Sequence, residues 1–151
     1  MSSYVRQTMT ICALLVATPA VSHAQTPQSA SGHAEILLKE DHSWNGVPYK
    51  AYPATPPQLT VLKLTIPPHS ALPWHRHPFP NAGYVLQGSL TIEDRESGKR
   101  RTFQTGQAFA ESVDDVHRGV SGDTATVVLL TYAGTKGTPT SVPIKGEQPE
   151  Y

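Results

Sequence analysis

Two histidines separated by a single residue, His75 and His77, are the first side chains in this sequence whose types and spacing could do chemistry. On a β-strand, residues two apart project from the same face, so both imidazoles would point to one side while Arg76 points away. Two imidazoles whose α-carbons are about 6 to 7 Å apart can share one metal ion. The alternatives are a hydrogen-bonded pair of interior histidines and an exposed strand edge, so the triplet by itself leaves a metal site and a structural role open.

Strands are the elements that must position these histidines, and most of the chain is patterned for strands. Residues 58–66 alternate, with Thr60, Leu62, Leu64 and Ile66 on one face, which is typical of a half-buried strand. No long window carries a helical stripe uninterrupted by Pro or Gly. The predicted strands cover residues 34–40, 47–52, 58–66, 82–87, 89–93, 100–104, 107–111, 116–120 and 124–132. So many short strands at this spacing predict an antiparallel sandwich or barrel.

Residues 1–24 resemble a secretory signal peptide. Arg6 precedes an apolar run over residues 10–17, and Ser22, His23 and Ala24 form a small-x-small site before Gln25. The apolar run is about half of the ~20 residues that a membrane span requires. We therefore predict cleavage after Ala24 and a periplasmic or secreted protein.

The rest of the chain is predicted to form one domain flanked by two extended segments. Residues 25–33 are rich in Gln, Ser, Thr and Pro with little to bury, which predicts a flexible arm. Residues 34–134 hold all the predicted strands and form the β domain. Residues 135–151 carry Pro139, Pro143 and Pro149, so we expect an extended tail that packs along an outer edge or a partner.

Charge and cysteine content exclude several classes of function. Lys and Arg number 12 and Asp and Glu number 12, so loss of Arg6 with the leader leaves a net charge of −1 with histidine neutral. This composition provides no excess of positive charge with which to bind nucleic acid or an anionic membrane surface. Cys12 is the only cysteine and lies in the leader, which excludes disulfides, thiolate nucleophiles, cysteine-ligated zinc and iron–sulfur clusters. No phosphate-cradling loop, dinucleotide fingerprint or G-x-S-x-G elbow is present, so no organic cofactor is expected.

The segment around the two histidines resembles the first motif of the small exported bacterial cupins, G-x5-H-x-H-x3,4-E-x6-G. Residues 69–88 read HSALPWHRHPFPNAGYVLQG, with His75, His77 and Gly88 in register. His69 stands where that motif opens with Gly, and Asn81 stands where it has Glu.

The second cupin motif, G-x5-P-x-G-x2-H-x3-N, is matched in spacing by residues 106–121. Gly106 and His117 are in register, whereas Ser112, Asp114 and Ser121 replace the Pro, the Gly and the Asn of the motif.

The resemblance implies an all-β fold, a single jelly-roll cupin barrel. It implies one divalent transition metal ion (Fe, Mn, Ni, Cu or Zn) bound by His75, His77 and His117 inside the barrel. A carboxylate usually completes the set, and an amide oxygen at Asn81 brings no negative charge, so it binds transition metals less well than Glu. The resemblance and the proline-rich tail also favour a homodimer.

Glu111 is a second candidate for the missing carboxylate. It precedes the turn that leads to His117, and it shares a strand face with Phe109 by alternation. If that face is the inner one, Glu111 could supply the ligand from the second motif. The alternative is a surface glutamate beside Asp114 and Asp115.

Three functions remain open on this evidence, because one fold hosts many activities. The first is a metal-dependent enzyme acting on a small molecule, dioxygenase-like or isomerase- or lyase-like, with the oxidoreductase class favoured. The second is a non-catalytic cupin module that binds a small ligand or a metal. The third is a metal-free structural jelly roll. Residues that carry out catalysis, beyond the metal ligands, are not assigned.

Overall fold

Nine β-strands build the part of the chain that a computed structural model describes, residues 31–151. They are β1 (Pro57–Ile66), β2 (His75–Arg76), β3 (Asn81–Gln87), β4 (Ser89–Asp94), β5 (Arg100–Gln104), β6 (Ala108–Ala110), β7 (His117–Ser121), β8 (Thr126–Thr135) and β9 (Val142–Pro143). The predicted leader and most of the predicted arm lie outside the described residues. Within residues 31–151, no helix has the length and apolar character that crossing a bilayer would require.

The strands form two antiparallel sheets around a single apolar core. The four-stranded sheet has the order β1-β8-β3-β6, and the five-stranded sheet has the order β5-β4-β7-β2-β9. Both sheets contribute to one cluster of buried side chains, which includes Val85 and Val128 from the first sheet and Leu90 and Ile92 from the second. The predicted all-β jelly-roll class is confirmed.

Strand β8 illustrates why these residues form strands. It pairs with β1 on one side and with β3 on the other, and its even-numbered residues Thr126, Val128, Leu130 and Tyr132 are all buried. Period-two alternation lets this face fill the core while the intervening residues face outward. The predicted alternation over residues 58–66 is found in β1 as well, where the Thr60 to Ile66 face is the less exposed one.

Two predicted strands are not formed. Residues 34–40 and 47–52 lie outside every sheet, and a single bridge between His42 and Pro48 is the only pairing there. Ile36 and Leu37 are exposed, because residues 34–40 pair with no neighbouring strand in the described part of the chain. In the second segment, Pro48 has no backbone N–H to donate to a partner strand. The predicted strand over 107–111 shortens to β6, and the one over 124–132 runs on to Thr135.

Two glycines provide space for buried aromatic rings. A Cβ on Gly83 would lie 2.1 Å from Cζ of Phe109, its cross-strand partner on β6. A Cβ on Gly134 would likewise lie 2.3 Å from Cζ of Phe79. Each ring therefore covers the backbone of a glycine, and any larger residue there must displace the ring.

The end of the chain runs along the edge of the five-stranded sheet. Strand β9 pairs with β2, with Pro143 opposite His75 and Val142 opposite Arg76. This places the last residues of the chain beside the H-x-H segment.

Candidate functional site

Three buried histidines converge in the interior. His75 on β2 and His117 on β7 are direct cross-strand partners, and His77 follows β2 immediately. Their exposed fractions are 2%, 1% and 1% for His75, His77 and His117. The three ring centroids are 4.7 to 5.0 Å apart, and one ring nitrogen of each lies within 4.8 Å of the others. The expectation that His75 and His77 share a face is confirmed, since both are buried while Arg76 is exposed.

Each imidazole is held in one tautomer by a backbone carbonyl. The Nδ1 atoms donate to the carbonyl oxygens of Pro73 (from His75, 2.8 Å), Thr140 (from His77, 2.7 Å) and Asp115 (from His117, 2.9 Å). A carbonyl oxygen can only accept, so the proton of each neutral ring sits on Nδ1. The three Nε2 atoms are therefore left with free lone pairs, the arrangement that oriented metal-ligating histidines use.

Burial keeps the three rings neutral. Removal from water lowers the pKa of His75, of His77 and of His117 below the usual value, and for His77 the neighbouring rings lower the pKa further. At neutral pH the rings are consequently uncharged, which is the form that can bind a metal.

Glu111 faces this cluster. Its Oε2 lies 3.4 Å from Nε2 of His117, is buried and makes no hydrogen bond with any described residue. Hydrogen bonds fix the backbone of Glu111 on both sides of its α-carbon. Its N–H donates to the carbonyl of Asn81 at 3.0 Å, and its carbonyl accepts from the Tyr49 hydroxyl at 2.6 Å. Burial raises the pKa of the Glu111 carboxyl to about 7. The inner-face orientation considered for Glu111 is the one found.

A second carboxylate reaches the cluster from the C-terminal tail. Oε2 of Glu150 lies 3.5 Å from Nε2 of His75, and the side chain is only 3% exposed. This oxygen also has no hydrogen-bond partner among the described residues. Sequence analysis missed Glu150, because a glutamate next to the last residue of a proline-rich segment carries no local signal of burial.

Asn81, the other candidate ligand, lies on β3 and is buried on the same face as Gly83 and Val85. Neither polar atom of its side-chain amide finds a hydrogen-bond partner within residues 31–151. The side chain thus presents an unused amide to the interior.

Three other histidines and Arg118 are not part of the histidine cluster. His33, His42 and His69 are exposed, and His69 occupies a turn with φ of 52°. Arg118 points away from its neighbour His117 and donates from Nε to Oε2 of Glu93 at 2.8 Å. These residues are accounted for by surface and structural roles.

The donor set fits a divalent transition metal. One ring nitrogen of each of the three neutral imidazoles lies within 4.8 Å of the others, and carboxylate oxygens of Glu111 and Glu150 lie 3.4 Å from His117 and 3.5 Å from His75. Imidazole nitrogens and carboxylate oxygens are ligand types that such ions accept. Buried carboxylate oxygens without partners cost free energy, and a cation would compensate that cost. A cavity of about 10 Å³ adjoins the cluster and is lined otherwise by apolar side chains, among them Leu64, Leu72 and Leu90.

Residues 62–132 match the cupin domain family (Cupin_2). Among curated protein sequences, none matches this chain.

Solved structures share the fold at low sequence identity. The DMSP lyase DddQ from Ruegeria pomeroyi DSS-3 superposes with a TM-score of 0.51 at 19% identity, over 66% of this chain and 47% of that one. The polyketide cyclase RemF from Streptomyces resistomycificus gives 0.49 at 17%, over 60% and 63%. An RmlC-like cupin from Shewanella frigidimarina NCIMB 400 gives 0.45 at 18%, over 52% and 68%.

The superposition on the lyase shows a common fold, and an identity of 19% does not transfer an activity. The chain also spans only about half the length of the lyase. The match over residues 62–132, the two antiparallel sheets and the three histidines at cupin spacing agree with one another. Residues 62–132 of this chain therefore form a cupin domain.

Proposed function

We propose that this protein is a metal-dependent cupin enzyme that acts on a small molecule, with one divalent transition metal ion held by His75, His77 and His117. The observation that carries the proposal is the set of three Nδ1 to carbonyl hydrogen bonds, which leaves three Nε2 lone pairs directed at one buried point. A hydrogen-bonded trio of structural histidines would instead use ring nitrogens to bind one another.

A metal ion bound there would supply Lewis-acid or redox chemistry, and the dioxygenase-like and the isomerase- or lyase-like classes both use it. The residues of the chain do the rest. The carbonyls orient the imidazoles, and the apolar wall formed by Leu64, Ile66 and Leu72 keeps water from the site. Oε2 of Glu111 faces the cluster 3.4 Å from Nε2 of His117 and could add a carboxylate ligand to the three imidazoles.

A non-catalytic cupin that binds a metal or a small ligand is the second candidate. It is favoured by the size of the cavity beside the cluster, about 10 Å³, which is at the lower limit for a single water molecule. An enzyme with this site must therefore open before a substrate can reach it.

Elemental analysis tests the proposal most directly. The protein is purified from its native compartment without an affinity tag, beside a His75→Ala/His77→Ala variant. A His42→Ala/His69→Ala variant is the matched control, because it removes two histidines that are exposed. We expect near-stoichiometric iron, manganese, nickel or copper in the wild type and the control, and its loss in the cluster variant.

The same samples separate the two candidate functions. Oxygen uptake or turnover of small substrates by the metal-loaded protein supports the enzyme, and stable metal binding without turnover supports the binding module. A folded wild-type protein that contains no metal and takes up none would overturn the metal-dependent enzyme and the metal-binding module, and would leave a metal-free ligand binder or structural module.

We also infer that the protein is exported, on the leader pattern in residues 1–24. The expected product is a mature chain that begins at Gln25 and is found outside the cytoplasm, as measured by fractionation and N-terminal sequencing. A cytoplasmic chain that retains Met1 would contradict it.

A further inference from the structure

The C-terminal segment supplies its own carboxylate to the histidine cluster. Residues 142–151 leave the sheet edge at β9, turn at Gly146 with φ of 93°, and return so that the Glu150 carboxylate is buried 3.5 Å from Nε2 of His75. We call residues 142–151 the strap. Glu150 and Glu111 line the same small cavity, so the strap contributes to the wall that closes the site.

The strap is held weakly along most of its length. Strand β9 is two residues long, and Ile144 donates to the carbonyl of Trp74 at 3.1 Å. Beyond Ile144, the backbone hydrogen bond found within the described residues is internal to the strap, from Glu147 to Ile144. Lys145, Gly146, Gln148 and Pro149 are exposed, and the hydroxyl of Tyr151 is hydrogen-bonded to that of Thr140. The contacts that oppose withdrawal are therefore concentrated near Ile144 and at Tyr151.

The inserted carboxylate lacks the partners that a permanent structural role would require. Oε2 of Glu150 has no hydrogen bond, and the ring it faces has its pKa lowered chiefly by burial. Buried carboxylates are normally paired with a cation or hydrogen-bonded, because an isolated one is costly. The described residues place no Lys or Arg side chain in the lining of this cavity.

We propose that the strap is a removable internal ligand. Its Glu150 carboxylate occupies a coordination position beside His75, and a small carboxylate-bearing molecule takes that position when the strap withdraws. The inference rests on the proposed function, since it presupposes an ion at the histidine cluster. An ion held by the three imidazoles would have the Glu150 carboxylate within reach beside His75. Withdrawal of Glu150 would free a ligand position that an incoming carboxylate can fill.

Substitution of Glu150 tests the proposal through coordination and not through activity. The wild-type protein, Glu150→Gln and the matched control Glu147→Gln are stripped of metal and titrated with Co²⁺, whose visible absorption reports its ligands. The control makes the same chemical change in the same strap, away from the cluster. We expect Glu150→Gln to bind Co²⁺ about tenfold more weakly, with an altered spectrum, and Glu147→Gln to behave as wild type.

Acetate is the probe for the second half of the proposal. Titrated into the Co²⁺ proteins, acetate should bind Glu150→Gln about tenfold more tightly than wild type, because it no longer competes with a tethered carboxylate. A truncation that ends at Gln148 should behave like Glu150→Gln and guards against an effect of the introduced amide. Circular dichroism confirms that each variant is folded.

The outcomes separate this inference from the proposed function. If wild type, Glu150→Gln and the truncated chain bind Co²⁺ and acetate alike, the strap proposal is overturned while the metal centre stands. If the wild type binds no Co²⁺, and no Fe²⁺ or Mn²⁺ in its place, the metal centre itself fails and the strap proposal falls with it.

Discussion

Replacing Gly83 by alanine tests the packing that positions one side of the candidate site. A Cβ at residue 83 would lie 2.1, 2.4 and 2.7 Å from Cζ, Cε2 and Cε1 of Phe109, whereas ordinary contact begins at 3.4 Å. The ring must therefore retreat by about 1 Å. It is 1% exposed and packs against Phe103 with centroids 5.0 Å apart, so it has little free space in which to move.

The change in the free energy of unfolding caused by Gly83→Ala follows from two opposing effects. Alanine in a strand interior would by itself stabilise the fold by roughly 0.5 to 1 kcal/mol relative to glycine. Overpacking a filled core costs about 1 to 3 kcal/mol or more, and three short contacts with a rigid ring place this site at the upper end. We expect Gly83→Ala to lower the free energy of unfolding by about 2 kcal/mol, measured by urea denaturation of the metal-free protein.

A double-mutant cycle identifies the cause. The three short contacts involve the far edge of the ring, which leucine lacks, so Gly83→Ala should stabilise the fold by roughly 0.5 to 1 kcal/mol when Phe109→Leu is already present. The coupling energy between the two sites should be about 3 kcal/mol. If Gly83→Ala costs the same in both backgrounds, or nothing in the wild type, the reasoning about ring coverage is wrong. Because β6 leads directly into Glu111, a displaced ring should also weaken Co²⁺ binding.

Three further predictions concern the metal centre, the pH dependence of stability and assembly. Glu111→Ala should weaken metal affinity about as much as His117→Ala, measured by competition with a chelator; unchanged affinity in the first variant alongside complete loss in the second would exclude Glu111 as a ligand. Burial tends to raise the pKa of Asp94, but hydrogen bonds from the side chain and backbone of Ser97 outweigh burial and lower that pKa below 3.8. Asp94 therefore stabilises the fold above pH 3.8, and this contribution is lost as the pH falls through the folded-state pKa of Asp94. Asp94→Asn should therefore cost about 1 to 2 kcal/mol in urea denaturation at pH 7, with a deficit that shrinks below pH 3.8; a deficit independent of pH would refute the assignment. Leu59 and Val61 are 83% and 67% exposed on the outer face of β1, so a homodimer should bury them, and Leu59→Asp/Val61→Asp should convert a dimeric mass in light scattering to a monomeric one; a monomeric wild type would contradict the dimer.

The local pattern of the sequence was sufficient for most of the fold. Alternation in residues 58–66 predicted β1 and its buried face, and residues 100–104 predicted β5 with its observed bounds. The predicted strands over 34–40 and 47–52 were wrong, because alternation does not show whether a partner strand exists. Pairing depends on residues far away in the chain. Here β1 is an edge strand of the four-stranded sheet, and residues 34–40 and 47–52 do not pair with it.

The candidate site likewise has features that the sequence predicted and features that only the structure shows. The period-two alternation of a strand was enough to place His75 and His77 on one face, and it suggested that Glu111 could face the interior. The sequence could not show that the three Nδ1 atoms meet backbone carbonyls, because the residues that supply those carbonyls lie in a loop, a turn and the C-terminal segment.

The sequence by itself determined the strand alternation, the spacing of three histidines and the position of the single cysteine within the predicted leader, since each depends on residue type and local period. The tertiary structure alone decided that His75 pairs with His117 across β2 and β7, and that Glu150 returns from the end of the chain to the same point. The physical reason is that strand register and the docking of a terminal segment are set by which distant surfaces exclude water together.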